Sequence, residues 1–156
     1  MKKYLSILFA AAILCGCSGN DPEPYNYKTD VYISGYTIYA MPYKDRYCQV
    51  MYRGETINGE SLSMETLPMT DKLTYSDLPY SYNLPEPKLL EDFAYMNYYT
   101  IYLYCPIQQS ELSLSYFYME EILYASAIKA EKDEYILKSQ DGKSKIGIRF
   151  KYIKRK

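Results

Sequence analysis

The sequence contains no histidine and no tryptophan. Histidine titrates near neutrality and is the commonest metal ligand, so its absence removes most hydrolase triads and imidazole-bound zinc and copper sites. There is no Gly-x-Ser-x-Gly elbow, no phosphate-cradling glycine loop and no dinucleotide fingerprint. A pair of carboxylates can still do glycosidase work, yet Asp and Glu lie scattered in turns and none is marked as a partner of another. Charge of one sign is also lacking: 18 Lys+Arg stand against 19 Asp+Glu, a net charge of −1. Such a surface recruits neither nucleic acid nor another polyanion. These absences point away from an enzyme. No catalytic, cofactor-binding or metal-ligating residue is expected, and no cofactor.

Long apolar runs are confined to one place, the N-terminus. Lys2 and Lys3 precede an apolar run from Leu5 to Leu14 broken only by Ser6. A positive segment followed by about ten apolar residues is the layout of a secretory signal, too short to span a bilayer. The run ends in Leu14-Cys15-Gly16-Cys17, with Leu14 and Gly16 three and one positions before Cys17. This resembles the lipobox of bacterial lipoproteins, in which signal peptidase II cuts before the cysteine and the new N-terminus is acylated. The resemblance implies that residues 1–16 are a signal peptide and that Cys17 is the lipid attachment site. Acyl chains gathered on one cysteine supply the double hydrophobic signal that stable membrane attachment takes. The mature chain is then tethered to a membrane through its N-terminal lipid and does not span it.

Residues 17–28 read as the tether. Ser18 to Tyr27 holds Ser, Gly, Asn, Asp, Glu and two prolines with no apolar period. Pro22 and Pro24 stiffen it towards polyproline II, so it reaches roughly 30 Å, enough to hold a small domain clear of the headgroups. Asp21 and Glu23, just after the lipidated cysteine, also resemble the export signal of surface-displayed Bacteroidota lipoproteins; a plain solvated linker is the alternative. The expected address is the outer membrane, on the cell surface rather than the periplasmic face.

Residues 29–156 suit a single domain. Val31 to Tyr39 is rich in β-branched and aromatic residues and stops at Met41-Pro42, as a strand does before a turn. Tyr47 to Tyr52 predicts a second strand with Cys48, Val50 and Tyr52 on one face. Gly54-Glu55 and Asn58-Gly59 read as turns. Ser61 to Leu67 alternates until Pro68, and Leu73 to Tyr75 is a short strand candidate. Asp77 to Asp92, with Pro79, Pro85 and Pro87, reads as one long irregular segment. Tyr98 to Tyr104 is apolar or amphipathic on both faces, as a central strand is, and Glu111 to Tyr118 alternates. Residues 119–132 fit a helix through Leu123, Tyr124, Ala127 and Ile128, or a strand through Ile122, Tyr124, Ser126 and Ile128; strand is favoured. Tyr135 to Lys138, Asp141-Gly142 and Ile146 to Tyr152 make a hairpin, whose outer lysines suit an exposed edge.

Seven to nine short strands at this spacing predict an all-β, antiparallel β-sandwich, with room for one short helix near 119–132. The order of elements resembles a C2-type domain, in which a strand like Thr100 to Tyr104 leads into an acidic calcium loop. Here that loop begins Cys105-Pro106-Ile107-Gln108-Gln109, with no carboxylate until Glu111. Immunoglobulin-like and transthyretin-like sandwiches fit the pattern equally.

Two features of composition bear on function. Cys15 leaves with the signal and Cys17 is acylated, so Cys48 and Cys105 remain in an oxidising compartment, as a disulfide or as two buried thiols. Their spacing resembles the inter-sheet pair of immunoglobulin domains, without the tryptophan and with Leu103 where a corner tyrosine would stand. Tyrosine is the second feature, at 22 residues against 4 Phe. Its apolar body and polar tip fill the half-buried face of a sheet, or serve a surface that packs on sugars or protein partners. Tyr75, Tyr80 and Tyr82, around the proline-rich segment, are the candidate binding patch. The function expected from all this is a lipid-anchored, non-catalytic binding or accessory module with a protein or glycan ligand. The rival is an inhibitor or immunity protein that blocks a toxin or lysozyme with a loop.

Overall fold

The computed structural model describes residues 28–105 and 117–156. The signal, Cys17, the tether up to Tyr27 and most of the Glu111–Tyr118 strand expectation lie outside the described residues. Among the described residues there are eight strands: β1 (Thr29–Ala40), β2 (Gln49–Thr56), β3 (Glu65–Thr66), β4 (Tyr80–Leu89), β5 (Met96–Tyr104), β6 (Phe117–Tyr124), β7 (Glu134–Lys138) and β8 (Lys145–Lys154). They form two four-stranded sheets, β4-β1-β8-β7 and β3-β2-β5-β6, with every pairing antiparallel. The chain is an all-β sandwich. β1 and β2 lie in different sheets, whereas the first two strands of an immunoglobulin constant-type domain share one.

Alternation decides which side chains meet between the sheets. Val50 and Tyr52 of β2, Tyr99, Ile101 and Leu103 of β5, and Ile146, Ile148 and Phe150 of β8 all point inward and are buried. Each such side chain contributes about 1.5–3 kcal/mol by leaving water. β1 breaks the period: Val31 and Ile33 are inward, then Tyr36 and Ile38. The registers against β8 and β4 both slip between Ile33 and Gly35. One extra residue, Ser34, flips the inward parity, as a β-bulge does.

The same bulge explains the first departure from sequence expectation. The Asp77–Asp92 segment is not irregular throughout; Tyr80 to Leu89 is β4, an edge strand. Opposite the bulge, Ile33 pairs Lys88 while Gly35 pairs Asn83, so Leu84 to Pro87 bulge out against Ser34 alone. Pro85 and Pro87 lack an N–H and sit where no ladder bond is needed.

Other expectations shift for equally local reasons. Gly54-Glu55 lies inside β2, where Gly54 leaves room for the Tyr99 ring and Met96 of the neighbouring strand. Only Glu65–Thr66 of the 61–67 stretch is strand. The rest follows β2 through spaced bonds, Leu62 N–H to Gly54 O and Leu67 N–H to Val50 O, both 2.9 Å. Leu73 makes a single bridge to Arg46, and Tyr75–Asp77 is a 3-10 turn. Residues 119–132 divide: strand to Tyr124, then the one-turn helix α1 (Ala125–Ile128). β8 is no edge, since it lies between β1 and β7. The hairpin turn before it holds Gly142 at φ 72°, a conformation that costs other residues energy. β5 is central, between β2 and β6.

Tyrosine hydroxyls fasten the elements together. Tyr36 donates to Pro68 O (2.8 Å), tying β1 to the arm after β3 in the opposite sheet. Tyr135 donates to Ala127 O (2.6 Å), and Tyr152 to Ile128 O and Lys132 O (3.1 and 3.0 Å), so both anchor α1 to the hairpin. Tyr39 donates to Glu134 (2.8 Å) across the outer face of the first sheet. Each ring fills space with its body and satisfies a backbone or carboxylate acceptor with its tip.

Candidate functional site

Tyr75, Tyr80 and Tyr82 do not share one surface. Tyr75 is exposed and its hydroxyl reaches Pro42 O at 3.3 Å. Tyr80 and Tyr82 sit at alternate positions of β4 and pack against the core. Tyr82 stacks on the buried Tyr36 ring, centroids 5.6 Å apart at 20°. Proline-rich sequence suggested a loop with outward rings; strand alternation turns two of the three inward instead.

Cys48 and Cys105 are brought together, but not across the sandwich. The β2–β5 register pairs Gln49 with Tyr104 and Val50 with Leu103. One step further it sets Cys48 beside Cys105 at the ends of neighbouring strands of one sheet. Their sulfurs are 3.2 Å apart, both residues are buried, and both are free thiols. The Sδ of Met41 lies 3.7 Å from Cys48 Sγ. The hydrogen bond from Cys105 lowers the Cys48 thiol, while that bond and burial push Cys105 up. The inter-sheet pairing that the spacing suggested is therefore replaced by a cross-strand contact, because β2 and β5 are hydrogen-bonded neighbours although the chain between them passes through β4 of the other sheet.

A cleft of about 300 Å³ lies between the edges of the two sheets, where β3 faces β4. Its walls are Tyr52 and Tyr99 from β2 and β5, with Leu62, Glu65, Lys88, Glu91 and Asp92 among its lining. Tyr52 and Tyr99 meet edge to face at 6.2 Å, and Phe93 stacks behind Tyr99 at 6.3 Å and 7°. Lys88 reaches over the mouth from β4, paired with Glu65 of β3, its ammonium 5.7 Å from the Tyr52 centroid. Burial, then the charges of Glu65 and Glu91, raise the Tyr52 phenol well above its usual range. Burial, then Tyr52 and Asp92, do the same for Tyr99. Both phenols stay protonated at neutral pH and act as hydrogen-bonding groups, not bases. The Tyr99 hydroxyl is buried without a hydrogen-bond partner among the described residues. An unsatisfied buried hydroxyl is costly, and a ligand or water entering the cleft can relieve it.

Sequence reasoning placed Tyr52 on one strand face with Cys48 and Val50 but missed this site. Lys88 lay in the segment read as irregular, and no pattern sets it beside Glu65, 23 residues away. Among the described residues no group of three or more His, Cys, Asp or Glu is placed to hold a metal ion. The loop expected to hold the calcium ligands of a C2-type domain falls outside them.

The fold and this cleft define an antiparallel β-sandwich with an aromatic-walled recess at one open edge. The chain matches no protein-family model, no curated protein and no solved structure.

Proposed function

We propose that this chain is a lipid-anchored lipoprotein of the outer membrane, displayed on the cell surface, that works as a non-catalytic binding or accessory module. The observation that carries this reading is Leu14-x-Gly16-Cys17 closing a short apolar run after two lysines. The proline-bearing tether supports it, since it holds the domain at a distance from the headgroups. The cleft between β3 and β4 supports the binding half: it offers aromatic walls and an unpartnered hydroxyl, and its phenols are held protonated.

Replacing Cys17 with Ala tests the anchor. The variant accumulates as an unlipidated precursor with its signal attached. Cleavage between residues 16 and 17 in that variant, with recovery in the same membrane fraction, would overturn the lipoprotein reading. A pull-down in native detergent tests the second half. Glycan retention that is lost on Tyr99→Phe supports the binding module, while one stoichiometric toxin-like or lysozyme-like partner replaces it with the inhibitor reading.

A further inference from the structure

We infer that Cys48 and Cys105 are a disulfide-forming pair, a cross-strand bridge that locks β2 to β5 at the end of the second sheet. The strand register carries this beyond mere proximity. Cys48 N–H donates to Thr70 Oγ1 (2.9 Å) and Cys48 O accepts from Thr70 N–H (2.8 Å). Both backbone groups of Cys48 therefore point away from β5. Relative to Cys105 it occupies a non-hydrogen-bonded position of the antiparallel ladder, where facing Cα atoms lie about 4.5 Å apart and side chains are closest. That spacing falls within the disulfide window of about 4.4–6.8 Å. The sulfurs already touch at 3.2 Å, and closing to a bond of about 2.0 Å takes small side-chain rotations rather than backbone movement.

The surroundings favour a bridge over a metal. Two thiolates on one zinc ion each stand about 2.3 Å from it in a tetrahedron, which holds the sulfurs further apart than they are here. The Met41 thioether at 3.7 Å is a weak third donor. Beyond it, no further Cys, His, Asp or Glu among the described residues completes a site.

The chemistry is thiol–disulfide exchange with an external disulfide oxidant. One of the two cysteines attacks the oxidant's disulfide as a thiolate, forming a mixed disulfide and releasing one thiolate of the oxidant. The other cysteine loses its proton and attacks the first cysteine's Sγ, expelling the second thiolate. One S–S bond forms in the protein and the oxidant's is broken. Two electrons pass to the oxidant, and the two thiol protons end on its thiols or in solvent. Both cysteines are essentially inaccessible in the folded chain, at 0% and 1% exposure. The oxidant must therefore act before β2 and β5 close, or during a local opening at the strand ends. The bridge depends on the proposed envelope address only for its oxidant in the cell; the geometry stands without it.

The test uses the full chain, taken from membranes in detergent and analysed by non-reducing tryptic mass spectrometry after alkylation. The expected result is one linked pair joining the peptides of Cys48 and Cys105, lighter by two hydrogens than the reduced pair. In parallel, chain unfolded and reduced in urea is refolded with oxidised glutathione, and forms the same bridge. The bridge closes a loop across 57 residues, so reduction lowers the folding equilibrium constant a hundred- to a thousandfold. The Cys48→Ala, Cys105→Ala double variant starts at that lower value and does not respond to dithiothreitol. Recovery of both cysteines as alkylatable thiols after glutathione refolding, or of a metal ion holding them, would overturn the inference. A bridge formed in vitro but absent from cells, with Cys17→Ala also cut normally, would overturn the envelope address and leave the pair intact.

Discussion

Gly35 is where the bulge of β1, the edge strand β4 and the Arg149 guanidinium converge, so Gly35→Ala tests how the first sheet is held. A Cβ built on Gly35 lies 2.3 Å from Tyr82 O, 2.5 Å from Arg149 Nη2 and 3.2 Å from Asn83 Cα. Arg149 occupies that space because it donates to Tyr82 O (2.6 Å), Asn83 Oδ1 (2.8 Å) and Thr37 Oγ1, with Glu134 at 3.9 Å. The side chain can swing aside, but the Tyr82 carbonyl is backbone of the paired strand and cannot. β4 must shift outward locally, and the guanidinium loses its bonds to β4. Overpacking costs about 1–3 kcal/mol. Charged hydrogen bonds cost about 1.5–3 kcal/mol each where buried, less here because the Arg149 side chain keeps 22% of its surface exposed. The sum expected for Gly35→Ala is about 2–4 kcal/mol, read from urea denaturation followed by circular dichroism at constant m-value. A double-mutant cycle with Arg149→Ala separates the two parts. The pair should cost less than the sum of the singles, since the arginine bonds can be lost only once, yet more than Arg149→Ala alone because the carbonyl clash persists. A Gly35→Ala protein within about 0.5 kcal/mol of the parent, the scale of an ordinary surface substitution, would refute this account of the bulge.

Tyr75→Ser should change stability by less than about 0.5 kcal/mol, while Tyr82→Ser, which leaves a gap against Tyr36, should cost about 2 kcal/mol or more; equal melting temperatures would place Tyr82 at the surface. The buried phenols of Tyr36, Tyr52 and Tyr99 are all raised above 10.0, desolvation being the first cause in each. Their protonated form is favoured by the fold, so their contribution is fully present below the unfolded value and is lost as pH climbs above about 10. Absorbance of tyrosinate should therefore rise in two stages, the second coinciding with loss of the β-sheet signal; a single stage with the fold intact would remove these rings from the core.

Alternation along the chain was enough to make an all-β sandwich the expected fold, because a strand with one buried face must repeat every second residue. It also set Cys48, Val50 and Tyr52 on one face of their strand, and marked β5 as central and Asp141-Gly142 as a hairpin turn. Each of these depends on near neighbours in sequence. The break from Val31 and Ile33 to Tyr36 and Ile38 was not read from the sequence, since apolar and aromatic residues fall on both parities of β1, and only the pairing registers place the bulge at Ser34. Prolines concealed β4, since a missing N–H argues against a strand unless the strand lies at an edge and bulges, and edge position is a property of the assembled sheet. The single-sheet contact of Cys48 with Cys105, the pairing of Lys88 with Glu65 and the unpartnered Tyr99 hydroxyl depend on which strands lie side by side. Backbone hydrogen bonds and side-chain packing between distant segments choose those neighbours, and that choice is made only when the two sheets close on each other.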